Sequence, residues 1–174
     1  MEFLTAAVLI ALSSSISPFT GQNWGARKYY RIKSALNIAS LSSIIWGLFL
    51  SVFFYLFAES VAKIFTQDEK VIEIATMYMQ LVPISFGFQG IAMIVNSKLN
   101  TMNRPFTASI LIIVQMVVIY MPLAYLGSYL SGVRGIFTAV MITYFSGGIL
   151  SYFTSSISLK RIISKAEANP YPVK

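Results

Sequence analysis

The chain has 174 residues, of which 56% are hydrophobic and only 11% charged; soluble domains carry roughly a quarter charged residues, so this composition predicts an all-α integral membrane protein with several spans. The net charge of +7 does not point to nucleic acid, because the cations flank apolar runs instead of forming a mixed basic and aromatic surface. The chain has no cysteine and no histidine, which excludes disulfides, thiolate or imidazole metal sites, and Ser-His-Asp or Cys-His catalysis; no catalytic residue, metal or cofactor is expected.

The first apolar run covers residues 3–19 and reaches only about 25 Å as a helix, slightly short of a bilayer core. Glu2 stands where a cleaved leader would have a basic region, and no small-x-small site precedes the polar stretch that follows, so the run is expected to stay on the chain. Ala7, Ala11 and Ser15 form a small-residue stripe suited to close helix contact. Ser13, Ser14, Ser15 and Ser17 make the lower half polar, with hydroxyls expected to bond carbonyls of their own helix. Pro18 is expected to stop or kink the helix. Gly21 and Gly25 supply backbone freedom, and Thr20 or Asn23 is placed to cap the next helix. Arg27, Lys28, Arg31 and Lys33 follow at once. A polar turn with a basic flank between two apolar helices reads as a cytoplasmic loop.

The second run covers residues 34–58, with a Ser43, Gly47, Ser51 stripe for helix packing. Trp46 and the Phe53-Phe54-Tyr55 cluster are expected at lipid or the interface. The next connection carries Glu59, Lys63, Asp68, Glu69, Lys70 and Glu73, with Val61 to Phe65 as an interfacial turn. The third run, residues 71–99, contains Pro83, Gly87 and Gly90, which predict a bent or loosened helix. Tyr78, Ser85, Gln89, Ala92 and Asn96 share one face, which must meet the bundle interior or a cavity; interhelical hydrogen bonding and cavity lining both fit. After a short turn, Pro105 opens the fourth run, residues 106–126, in which Gln115 and Pro122 share a face and Tyr120 lies late. Gly127 to Gly132 reads as a turn with Tyr129 at the interface. The fifth run covers residues 135–157, where Gly147 and Gly148 permit close packing, and residues 158–174 form a polar tail, disordered at its end.

Lysine and arginine set the orientation. Ten lie in the first loop, the third loop and the tail, against three (Lys63, Lys70, Arg134) in the other two connections. Five spans with the N-terminus outside and the C-terminus in the cytoplasm follow from that asymmetry.

Gly21-Gln22-Asn23-x-Gly25-Ala26, followed by Arg31, resembles the loop between the second and third helices of the C-terminal bundle in multidrug and toxic compound extrusion (MATE) transporters. The Asn-x-x-x-Arg-Pro turn at Asn100 to Pro105 and the Gly132-Val133-Arg134-Gly135 start of the last run are also similar to that family. The resemblance covers the whole chain and corresponds to the last five helices of a twelve-helix, two-bundle fold, as a fragment or truncated product. It implies export of organic cations or drugs in exchange for protons or sodium ions at the plasma or inner membrane, with the coupling ion handled through the other bundle. Ser14, Ser85, Gln89, Asn96, Gln115 and Tyr120 are then the cavity candidates. Gly21, Gln22, Asn23, Gly25, Ala26 and Arg31 serve gating or bundle packing. Some members place a carboxylate near the segment that here reads Pro83-Ile84-Ser85-Phe86-Gly87-Phe88-Gln89, and all six acidic residues of this chain lie in loops or near helix ends. A cation site in this bundle is therefore in doubt. Alternatives are a lipid-linked sugar flippase of the same superfamily, which calls for basic cavity residues, and a non-transporting remnant or partner subunit.

Overall fold

The computed structural model describes residues 2–168, with side chains described for residues 6–164. The end of the expected tail, residues 169–174, lies outside the described residues. Among the described residues there is no strand. Helix α1 spans Glu2–Gly25, α2 Tyr29–Phe65 and α3 Glu69–Leu81. A 3-10 turn at Pro83–Ser85 leads into α4, Phe86–Thr101. Helix α5, Pro105–Ile113, runs through a π-helical segment, Val114–Tyr120, into α6, Met121–Ala168. Helix α6 is broken where Ser131 and Gly132 leave helical angles, Gly132 at φ 57°. Gly127 and Gly135 meet there backbone to backbone, a Cβ on Gly127 falling 2.8 Å from the Gly135 carbonyl carbon. Eight residues of straight helix would hold them about 12 Å apart, so the chain reverses. The reversal falls at the end of the turn expected at Gly127 to Gly132.

Three stretches are long and apolar enough to cross a membrane: Tyr29–Phe65, Glu69–Thr101 and Pro105–Ser164, the last folded back on itself. The 37 residues of α2 reach about 55 Å, well beyond a 30 Å core. Arg31, Lys33, Glu59 and Lys63 are therefore helical, and the interfacial turn expected at Val61 to Phe65 is the last turn of α2. Asp68 caps α3, its Oδ1 accepting from the Lys70 and Val71 amides at 2.9 and 3.4 Å.

Lipid-type amphipathicity explains α2. Its buried row includes Ser40, Ser43 and Gly47, while Ile38, Leu41, Ile45, Leu48, Phe49 and Val52 are exposed. Large apolar side chains point outward because hydrocarbon is their solvent, and small residues face the partner helix. Phe54 departs from its expected place and turns into the core with Leu50 and Met79, whereas Tyr55 stays exposed.

The proline-containing third stretch is the hub. Helix α4 packs on α1, α2, α5 and α6, and the most apolar window of Glu69–Thr101 is 61% buried, against 28% for α2 and 11% for Pro105–Ser164. Gly47 and Gly87 form the α2–α4 crossing, where Ser43 Oγ donates to the Gly87 carbonyl at 2.8 Å. Gly148 lies against Phe88 of α4.

Pro18 does not end α1. The helix passes through it to Gly25, and the expected loop motif supplies its last turns. Proline removes only the partner of the Ser14 carbonyl and here leaves the helix intact. The turn that follows is a Schellman motif: Arg27 takes φ 56°, Lys28 N–H donates to Asn23 O at 2.8 Å, and Arg27 N–H donates to Trp24 O at 3.1 Å. Neither Thr20 nor Asn23 caps α2; Asn23 Nδ2 donates back to Phe19 O at 2.8 Å. Asn103, at φ 55°, closes α4 in the same way. Glycine avoids the penalty an L-residue pays in this region, about 1 kcal/mol. Arg27→Gly is expected to raise thermal stability in detergent relative to Arg27→Ala; a lower melting temperature for the glycine variant would mean that the positive φ is not held.

The basic and acidic connections lie at opposite ends. Ile16, Ile32, Ile94, Met102 and Leu159 pack together near the first and third turns, and Leu9, Phe54, Ala62, Met79 and Val82 pack at the other end.

Candidate pathway face and polar contacts

Two stripes divide α1. Leu9, Ser13, Ile16, Thr20 and Asn23 are buried, whereas Ala7, Ala11, Ser14, Pro18, Gln22 and Gly25 are exposed. Both follow steps of three and four, so each is a single face. Ala7, Ala11 and Ser15, expected to make close helix contact, point outward. Hydropathy could not orient them, because both faces are equally mild. Inside, Ser97 Oγ donates to Ser13 O at 2.7 Å, and Ser17 Oγ lies 2.6 Å from Thr101 Oγ1. Thr101 already donates to Ser97 O, so Ser17 is the donor between them. Ser13 and Ser15 also bond their own helix, at Ile10 O and Leu12 O.

Of the cavity candidates, the fold brings Gln89 and Gln115 together. Gln115 Nε2 donates to Gln89 Oε1 at 3.0 Å, and the Gln115 amide is held over Gly147 of α6, whose hydrogen leaves it room. Pro122 creates the setting. It offers no N–H to the Val118 carbonyl, and the preceding turn widens until Met121 N–H bonds Met116 O, five residues back. The wider turn shifts the register, so Gln115 is buried and Pro122 exposed instead of sharing a face. Ser85 is fully buried and donates to Val82 O of its own helix at 2.7 Å. Asn96 is half-buried, and its Oδ1 has no partner among the described residues. Tyr120 is half-buried, and Ser14 stands apart on the outward face of α1. A double-mutant cycle with Gln89→Leu and Gln115→Leu should give a coupling of about 0.6 kcal/mol, typical of interhelical hydrogen bonds in membranes; strictly additive changes would remove the pairing.

The loop-motif residues divide as well. Gly21 faces Thr101, with room for a methyl at 3.4 Å. Asn23 is buried, while Gln22, Gly25, Ala26 and Arg31 are exposed. Gly25 needs no backbone freedom: it is helical, and a Cβ there meets nothing within 4 Å.

Sequence reasoning missed Lys98. Counted with the third loop, it lies inside α4 with a fully buried side chain, and Nζ donates to Ser155 Oγ of α6 at 2.7 Å. Nothing in its position marks it; only the Ser151, Ser155 step on α6 hints at a polar seam. At the acidic end, a cleft of about 660 Å³ is lined by Glu59, Lys63, Glu69, Glu73, Thr76, Gln80 and Arg134. Lys63 and Glu59 pair across one turn at 2.6 Å, both exposed. None of the six cavity candidates lines that cleft.

A family model described as MatE matches residues 1–126. A FAD transporter of Shewanella oneidensis is 34% identical over 153 residues, covering 88% of this chain and 34% of that protein. A Vibrio cholerae MATE transporter in a bent form matches with a TM-score of 0.88 at 24% identity, over 92% of this chain and 36% of that one. A multidrug resistance MATE family transporter matches in its inward-facing conformation with a TM-score of 0.85, at 18% identity over 93% of this chain and 38% of that one. An outward-facing conformation matches with a TM-score of 0.87, at 17% identity over 93% of this chain and 37% of that one. The chain thus spans about a third of the length of the relatives it matches.

Proposed function

The chain belongs to the MatE family, and we propose that it forms five spans of one bundle in a two-bundle solute exporter, with the outward face of α1 lining the pathway between bundles. The family is one of membrane transporters and not of enzymes. The observation that carries this reading is the Ala7, Ala11, Ser14, Pro18, Gln22 stripe. A small and polar row exposed on a membrane helix is suited to a protein partner or a wet path, and lipid is better met by the large apolar row of α2. Near-equal likeness to inward- and outward-facing relatives supports a bundle that moves as one body.

For the substrate, two classes stand. Organic cations or drugs, exchanged for protons or sodium ions, are what the family resemblance implies. A bulky anionic solute of the flavin dinucleotide class is the reading we favour. The chain has no acidic residue between positions 3 and 58 or between 74 and 166, so this bundle offers no counter-charge to a cation at membrane depth. The 34% identical relative is named a FAD transporter. The test is uptake of a flavin dinucleotide and of a planar organic cation by proteoliposomes holding the intact protein under an imposed proton or sodium gradient. Saturable flavin movement is expected. Cation movement alone would overturn the substrate, and movement of neither would favour a non-transporting role.

For orientation we propose the N-terminus outside and the C-terminus in the cytoplasm of a cell membrane; the concentration of lysine and arginine at one end supports the assignment of sides. A cysteine at Gln67 should react with an impermeant thiol reagent in intact cells, and one at Asn103 only after permeabilisation. The reverse pattern would invert the topology.

A further inference from the structure

Two clefts adjoin between α2 and α6, with α4 as their floor. Near the basic end, a cleft of about 370 Å³ has Lys33 and Lys160 at its rim and Ser155 and Ser156 in its wall. Toward the middle, a groove of about 330 Å³ is lined by Leu41, Ile44, Phe88 and Ile149. They share Asn37, Ser40, Tyr152 and Phe153, so they form one continuous channel along the outer surface. From Lys33 to Ile44 it runs about 17 Å. It is cationic at one end and apolar at the other, and no acidic side chain lines it.

We propose that this channel holds one anionic glycerophospholipid of the surrounding bilayer, with its phosphate between Lys33 and Lys160 and one acyl chain along Ile44 and Ile149. Charge complementarity selects the headgroup: two ammonium groups face the cleft, and a third stands behind its wall. Lys98 Nζ, fully buried, donates to Ser155 Oγ at 2.7 Å. A hydroxyl has one proton and two lone pairs. The ammonium occupies a lone pair, which leaves the Ser155 proton to donate into the cleft and makes that oxygen a poor acceptor toward a second donor. A buried lysine with a serine as its only partner among the described residues is thereby given a diffuse counter-charge one hydroxyl away. Basic pockets between spans at the cytoplasmic side are suited to anionic headgroups. The lower half excludes a free anion as the whole occupant, because a phosphate would leave the apolar groove unfilled. The inference goes beyond the proposed transport and does not depend on which solute is carried.

The test uses the intact protein purified in detergent. Retained lipid is counted by native mass spectrometry, and melting temperature is followed on adding phosphatidylglycerol, phosphatidylcholine or inorganic phosphate. Phosphatidylglycerol should bind at one copy and raise the melting temperature more than phosphatidylcholine, and inorganic phosphate should do neither. Lys33→Gln and Lys160→Gln should each weaken retention roughly fivefold, the pair roughly thirtyfold. Lys63→Gln, at the opposite end, should leave it unchanged. Stabilisation by inorganic phosphate alone would replace the lipid with a free anion. Equal retention of both lipids, or retention indifferent to both lysines, would overturn the site and favour a protein segment as the cover of the groove.

Discussion

Replacing Gly87 by valine is expected to remove most of the folded protein, measured as the monodisperse fraction in detergent. A Cβ on Gly87 would fall 2.8 Å from Ile44 Cα, and one on Gly47 would fall 2.8 Å from Gly87 Cα. These are backbone contacts, so no rotamer change relieves them. Overpacking costs about 1–3 kcal/mol even where side chains can yield. The loss compounds, because Ser43 donates to the Gly87 carbonyl at this crossing and α4 is the helix on which α1, α2, α5 and α6 pack. Gly25→Val is the matched control, since a Cβ at Gly25 meets nothing within 4 Å. If the two variants fold equally well, the crossing is not where the bundle is held.

Proteoliposomes holding only this 174-residue polypeptide should show no solute movement driven by a proton or sodium gradient. Coupling needs a group at membrane depth that changes charge or holds a cation. Where some family members place a carboxylate, this chain has the 3-10 turn Pro83–Ser85, and Ser85 spends its hydroxyl on Val82 O. The outward face of α1, which we propose lines the pathway, is open on its outer side, and alternating access requires a second body to close against it. Movement that collapses with the gradient, and that empty vesicles lack, would defeat this expectation and point to coupling through a residue such as Asn96, whose Oδ1 has no partner among the described residues.

Much of the architecture is legible in the sequence because bilayers impose simple rules. The apolar runs, the break at Pro83 and the packing glycines at 47, 147 and 148 all follow from length, missing N–H groups and missing side chains. Helix ends were less legible. Beyond the hydrocarbon core the hydropathy signal stops, but hydrogen bonding does not, so α2 carries its charged residues on for several turns. Pro18 misled because a single lost backbone bond leaves a long helix intact. The candidate site is half legible: periodicity puts Gln89 on an inward polar face, where Gln115 meets it, but the face expected to join Gln115 with Pro122 is undone by the wide turn. It could not place Lys98, because a lysine near a helix end ordinarily snorkels to water, and only the distant Ser155 draws it inward.

The Lys98–Ser155 contact sets an order on assembly during synthesis. The two residues are 57 positions apart, and a ribosome adding 5–20 residues per second needs about 3–11 s to cover that interval. Through that time α4 lacks the hydroxyl its ammonium requires, and the lysine must stay in water at the membrane surface. The hub helix therefore reaches its final depth only when the part of α6 that carries Ser155 docks, and closure of the bundle waits on that helix.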